Sequence, residues 1–157
     1  MTETANPIRI SKIGHIGLYC RDLQKMLDFY VRILGFQLSD VNERGMHFLR
    51  FGADHHSFVL VVMPEQEKQK SPGPQLVAQI ALEVDCLDTL KRIRRYLVGQ
   101  GVNVRGKIKH EGPGGNYVLD FDDPERNPLQ FFSDMDQIGA DGRSRPKEQW
   151  QRFHVDD

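Results

Sequence analysis

His15-Ile16-Gly17-Leu18-Tyr19-Cys20-Arg21-Asp22-Leu23 and Gln79-Ile80-Ala81-Leu82-Glu83-Val84-Asp85-Cys86-Leu87 carry one pattern twice, 64 residues apart. Each begins with a polar residue, continues as an apolar run and leads into a stretch of helical spacing. The first stretch stops at Gly35-Phe36 and the second at Gly101-Val102. The repeat predicts two modules with the same order of elements. One letter differs at the head of the pattern, His15 in the first copy and Gln79 in the second. That difference implies that the two functional faces have diverged.

The first module runs from about Ile10 to Met63. Ile13 to Cys20 reads as a strand. Asp22 is placed to cap a helix, because its carboxylate can accept an N–H of the first turn. Leu23, Met26, Leu27, Tyr30, Ile33 and Leu34 recur at three- and four-residue intervals, which predicts an amphipathic helix ended by Gly35. Phe36 to Val41, Met46 to Phe51 and Ser57 to Met63 read as strands. Residues 64–75, with three prolines and Gly73, read as a solvated linker. The second module, 76–133, repeats the order. Leu76 to Val84 is a strand, and Leu87, Leu90, Ile93, Arg94 and Leu97 mark a helix that Gly99 or Gly101 stops. Val102 to Lys109, Asn116 to Phe121 and Leu129 to Ser133 are the strands that follow. Residues 134–157 form a polar tail holding Trp150 and Phe153, expected to drape over the domain, to reach a partner subunit or to lack order.

The chain of 157 residues is long enough for one domain with a hydrophobic core, and its formal net charge is −1. That charge argues against a nucleic-acid binder. No apolar run reaches the length that spans a bilayer, so no membrane partner is expected. The segment Met1 to Pro7 lacks a signal-peptide core. Cys20 and Cys86 have no metal-finger or redox spacing, which suits a reducing, cytoplasmic setting. Two βαβββ units in tandem predict an α+β fold. A curved, mostly antiparallel sheet would surround a cleft, with the helices outside. The cleft is the expected ligand site, and His15 and Gln79 would face it from equivalent positions.

The double pattern, the stretches HIGLYCRDL and FYVRILGFQLSD, and the closing DPERNPLQFF resemble the vicinal oxygen chelate superfamily, also called the glyoxalase/bleomycin-resistance/dioxygenase fold. HFLRFGADHHSFVL and KHEGPGGNYVLDFDDP are similar to two histidine-bearing segments in the catalytic half of type I extradiol ring-cleavage dioxygenases. The resemblance covers about Ile10 to Ser133 and implies a small-molecule enzyme acting on a catechol-like or other vicinal-oxygen compound. It implies Fe(II) or another divalent metal as cofactor and a homodimer as assembly. It maps metal ligands onto His15, Gln79 and Gln130, acid–base roles onto His56 and His110, and substrate contacts onto His55, Tyr117 and Asp120.

The pattern departs from the family at the ligands. The usual ending DP-x-G-N-x-x-E reads Asp123-Pro124-Glu125-Arg126-Asn127-Pro128-Leu129-Gln130, and Asp120 stands where a tyrosine is usual. A His-Gln-Gln set offers one nitrogen and two neutral amide oxygens, without the negative charge that balances a divalent ion. The outcomes left open are weak metal binding, a substituted set using Glu83 or Asp120, or no metal. Glu83 shares a strand face with Gln79. Bland readings stand beside these. His15 could be a satisfied buried histidine, and His55-His56 could be turn residues. Gln79 and Gln130 could hydrogen-bond each other. His110 could be an exposed loop residue, before a glycine flap at Gly112 to Gly115. His47 and His154 read as structural or solvated. Two classes of function follow: an enzyme, metal-dependent or a metal-independent lyase, isomerase or hydrolase, and a drug-sequestering binding protein.

Overall fold

The computed structural model describes residues 11–70, 77–138 and 142–156. Ile10, positions 71–76 at the end of the linker and the start of the second module, 139–141 of the tail, and Asp157 lie outside the described residues. The fold is α+β. The chain divides into two compact units between Glu65 and Gln66, within the segment read as a linker.

The first unit contains β1 (Ile16–Cys20), α1 (Leu23–Leu27), β2 (Gln37–Val41), β3 (His47–Arg50) and β4 (Phe58–Val62). The sheet order is β1-β4-β3-β2, with β1 parallel to β4 and the other pairs antiparallel. Asp22 caps α1, accepting the Lys25 N–H at 3.1 Å and satisfying a donor that the first turn leaves unpaired. The helix then departs from the expected regular spacing and widens into a π-helix over Asp28–Ile33. The Leu34 N–H donates to the Phe29 carbonyl at 2.9 Å, five residues back. Phe29, three residues after Met26, lies in the core beside Met26 and Tyr30. Gly35 ends the helix at φ +77°, a left-handed conformation that glycine adopts without steric penalty.

Alternation sorts the two faces of this sheet. One face holds Cys20, Leu49, Phe58 and Leu60, all buried. Tyr30 and Phe36 pack on Phe58, each with ring centroids 5.4 Å apart. The other face holds Gly17, Tyr19, Phe48 and Val59. His15 precedes β1 by one residue, in phase with this second face.

One turn of helix, α2 (Glu65–Lys68), interrupts the segment expected to be irregular. The second unit then repeats the plan with β5 (Ile80–Glu83), α3 (Leu87–Gly99), β6 (Lys109–His110), β7 (Tyr117–Asp122) and β8 (Pro128–Ser133). β5 runs parallel to β8, as β1 does to β4. Ile80 opens β5 as Ile16 opens β1, so the 64-residue offset holds in three dimensions. α3 packs on β7 and β8 and buries Leu90 and Leu97. The expected strand from Val102 to Lys109 does not form as one piece. Val104 makes an isolated bridge to Phe121, and Gly106 turns the chain at φ +85°. A left-handed residue breaks an extended run, so only Lys109–His110 pairs as β6.

The described tail folds back onto its own unit. β9 (Phe153–His154) pairs antiparallel with β6 and completes the order β5-β8-β7-β6-β9. Trp150 lies against Gly112, where an added Cβ would stand 2.9 Å from Trp150 Cβ. The glycine loop is therefore a bed for the tail and not the flap that its composition suggests.

The turn from β7 to β8 is built on Asp123. Its Oδ1 accepts the N–H groups of Glu125 and Asn127 at 2.9 Å each, and its Oδ2 accepts Asn127 Nδ2 at 2.7 Å. Arg126 takes φ +66° in this turn, at the position where the family pattern carries glycine. A Cβ in that region is unfavourable by about 1 kcal/mol. Arg126→Gly is expected to raise stability by about 0.5–1 kcal/mol. Urea unfolding would show a higher midpoint at unchanged slope.

Candidate active site

Three histidines from two segments meet in the first unit. His15 comes from the entry to β1, and His55 and His56 from the turn before β4. The His15 and His56 ring centroids are 4.6 Å apart. Phe48 of β3 stands edge-on to His56 at 5.0 Å and to His55 at 6.0 Å. His55 Nδ1 and His56 Nδ1 are 3.0 Å apart, so one donates to the other. His55 Nε2 lies 4.0 Å from Asp40 Oδ2. At that distance, with both side chains exposed, the carboxylate makes no hydrogen bond to His55, and either ring can be the donor in the His55–His56 contact. With His56 as the donor through Nδ1–H, its Nε2 keeps a lone pair.

The surroundings hold His56 in its neutral form. Loss of water around the ring, then the neighbouring His15 and His55, lower its pKa below the ordinary 6.5, against a smaller upward pull from Asp54. A histidine with a lowered folded-state pKa takes up protons less readily folded than unfolded. Stability is therefore unaffected above about pH 6.5 and falls as pH drops through that value toward the folded one. His15→Gln, which copies the residue of the second module, removes a like charge. The His56 midpoint is expected to move up, read from its imidazole Hε1 signal across a pH series.

In the second unit the remaining candidates separate onto two faces of one sheet. Asp120 is paired with Gln130, and Gln130 with Ala81, so Gln79, Gln130 and Asp120 share a face. Gln130 Nε2 donates to Asp120 Oδ1 at 2.8 Å. Gln79 Nε2 makes a long contact of 3.5 Å with Gln130 Oε1. Lys109 Nζ donates to Asp120 Oδ2 at 2.7 Å. Burial works against the Asp120 charge. Hydrogen bonds from Lys109 and Gln130, with the charges of Lys109 and Arg105, outweigh it and hold the carboxyl below its ordinary value. Glu83, exposed, projects from the same side of β5 as Gln79.

His110 and Tyr117 are paired with each other across β6 and β7, on the opposite face. His110 is buried, not a loop residue. Its ring stacks on Phe153 with centroids 4.8 Å apart and planes 6° from parallel. Its Nδ1 donates to the Gln151 carbonyl at 2.8 Å. Tyr117 stands edge-on to it at 5.0 Å. The structure thus unites His15, His55 and His56, unites Gln79, Gln130 and Asp120, and sets His110 with Tyr117 apart from the second group. Sequence reasoning missed Lys109, Asp40, Phe48 and Phe153. Strand alternation flags the first, since Lys109 and not His110 is in phase with Asp120 once β6 is registered on β7.

The model of the Glyoxalase/Bleomycin resistance protein/Dioxygenase superfamily matches residues 12–131, and the chain belongs to that superfamily. Among characterised relatives, Metapyrocatechase 2 of Cupriavidus necator is 27% identical over 139 residues, covering 82% of this chain. The chain spans only 38% of that relative's length. Among solved structures, an integron cassette protein from a Halifax Harbour sewage outfall metagenome has a TM-score of 0.62 at 21% identity, over 79% of this chain and 99% of its own. Lactoylglutathione lyase from Agrobacterium tumefaciens has a TM-score of 0.59 at 18% identity, over 79% and 94%. A fosfomycin resistance protein from Mesorhizobium loti has 0.59 at 14%, over 81% and 95%. At these identities the structural likeness establishes the fold alone.

The family implies a divalent metal, and the donor chemistry can be tested against that. A carboxylate only accepts hydrogen bonds, so Gln130 must turn its NH2 toward Asp120 and its carbonyl toward Gln79. The Asp120 charge is already matched by the Lys109 ammonium. The two glutamines add no negative charge. These side chains of the second unit do not fit a divalent cation. Among the described residues, no group of three or more His, Cys, Asp or Glu side chains could hold a metal ion.

Proposed function

We propose that this chain is a small-molecule enzyme of the superfamily that moves a proton on a vicinal-oxygen substrate without a resident metal, with His56 as general base. The observation that carries this reading is the packing of His56 against His55, Nδ1 to Nδ1 at 3.0 Å, and against His15, with ring centroids 4.6 Å apart, where loss of water and the two neighbouring rings favour the neutral imidazole. Phe48, edge-on to His56, offers an apolar wall for an aromatic or enol-like substrate. In the chemical step, His56 Nε2 takes a proton from a carbon next to a carbonyl. The electron pair of the broken C–H bond moves into the new C=C bond, and the carbonyl π pair moves onto oxygen. Return of a proton to the same carbon completes an exchange; its return to the former carbonyl carbon completes an isomerisation, in which the enolate oxygen gains a proton and the neighbouring hydroxyl gives one up to become the new carbonyl.

The test is solvent exchange. A panel of 2-hydroxyketones and 2-oxo acids is incubated with the protein in deuterated water containing a chelator, and α-proton loss is followed by NMR. Exchange that persists in chelator is expected. Exchange that appears only with added metal, or none with any compound, would sink the reading. The similarity to Metapyrocatechase 2 favours a second reading, oxygen-dependent ring cleavage of a catechol. Protein exposed anaerobically to Fe(II) and then given oxygen and catechols would produce a yellow ring-opened product if that reading were correct.

A further inference from the structure

The polar row on the second sheet already contains a cation. β6 places Lys109 in register with Val118, on the face of Asp120 and Gln130. Its Nζ lies 2.7 Å from Asp120 Oδ2 and 3.9 Å from Glu111 Oε1. The Lys109 side chain is 33% exposed and that of Asp120 14%, so water screens the pair only in part. Arg105 Nε, 3.4 Å from Asp122 Oδ1, brings a second positive charge close by.

We propose that Lys109 fills the electrostatic place of a divalent cation on this face and thereby keeps such ions out. Both Asp120 oxygens are engaged, one by the Lys109 ammonium and one by the Gln130 amide. A divalent ion approaching Asp120 would meet the ammonium within a few ångströms, in a setting where like charges repel strongly. Gln130 and Gln79 supply no charge to offset that repulsion. The residue that sets ion selectivity thus lies one position before His110, whose own side chain faces the other way. The inference rests on the reading of a metal-independent enzyme and assigns that independence to one side chain.

The test uses the full chain and Mn2+ as probe, with paramagnetic broadening of the backbone amides of residues 79–83, 118–122 and 128–132 as readout. Lys109→Gln keeps an N–H donor for Asp120 and removes the charge. The unmodified protein is expected to retain these signals in Mn2+. Lys109→Gln should lose those around Asp120 and Gln130 at concentrations at least about tenfold lower, and Lys109→Arg should match the unmodified protein. Broadening at these positions in the unmodified protein, or a folded Lys109→Gln that ignores Mn2+, overturns the proposal. If Lys109→Gln is unfolded alone, recovery of its circular dichroism with Mn2+, but not with NaCl of equal ionic strength, supports it, and failure to recover overturns it. None of these readouts involves turnover, so ion exclusion and the role of His56 stand or fall separately.

Discussion

His56→Ala is expected to lower the metal-independent exchange rate by about 10²- to 10⁴-fold, the range that a positioned general base contributes. The loss should fall on kcat, with KM little changed, because the Phe48 wall remains. His56→Gln separates shape from chemistry, since an amide can fill the space but cannot accept the proton. It should be as inactive as the alanine variant. The pH profile carries the same signature. The lowered pKa of His56 keeps the base form populated below the ordinary value of 6.5. Activity should therefore persist below that pH and decline only as pH falls through the depressed midpoint. His55→Ala removes one of the two rings that lower the His56 pKa, and should lower kcat by less while moving the midpoint up. A His56→Ala protein that exchanges protons at the unmodified rate would exclude His56 as the base.

Gln130→Glu is expected to destabilise the protein by about 3 kcal/mol at pH 8, because it sets a second carboxylate against one that is largely buried. The native contact is 2.8 Å between Gln130 Nε2 and Asp120 Oδ1, and no second cation stands in it. The sign of the pH dependence is diagnostic. In the unmodified protein the lowered pKa of Asp120 gives stability that is present above its ordinary 3.8 and lost as pH falls through the folded value. In the variant the carboxyl pair shares a proton more readily when folded, so its pKa is raised. The deficit should then shrink as pH falls from 8 toward 5. Combining Gln130→Glu with Asp120→Asn exchanges the two groups and should recover most of the loss. Urea unfolding at both pH values measures all of this, and a Gln130→Glu protein as stable at pH 8 as the parent would contradict it.

The repeat was legible because it is written in local chemistry. Apolar runs, a capping aspartate and stopping glycines recur at one offset, and β1 and β5 open where that offset puts them. His15 and His56 were legible as a pair through the family resemblance, and they touch. The faces of the second sheet were not legible. Reading Val102 to Lys109 as one strand leaves the phase of Lys109 and His110 unassigned, because Gly106 resets the alternation before β6 begins. Only the pairing of His110 with Tyr117 fixes which of the two neighbours joins Asp120. The Asp120–Gln130 contact depends on β7–β8 register, a tertiary property that no local pattern encodes. The π-helix escaped because apolar residues at three- and four-residue intervals suit a regular α-helix equally well; the wider turn shows only in the bond from the Leu34 N–H to the Phe29 carbonyl.

The strand contributed by the tail covers an edge of the second sheet. An uncovered β6 would present a row of free N–H and C=O groups, the kind of edge along which sheets from different molecules join and precipitate. β9 occupies that row with two residues, Phe153 and His154. Its flanks carry charge, through Arg152 near Glu111 and Asp156 paired with Lys107. A short, charged rim is a poor template for further strands. β9 thus shields the β6 edge from pairing with further strands.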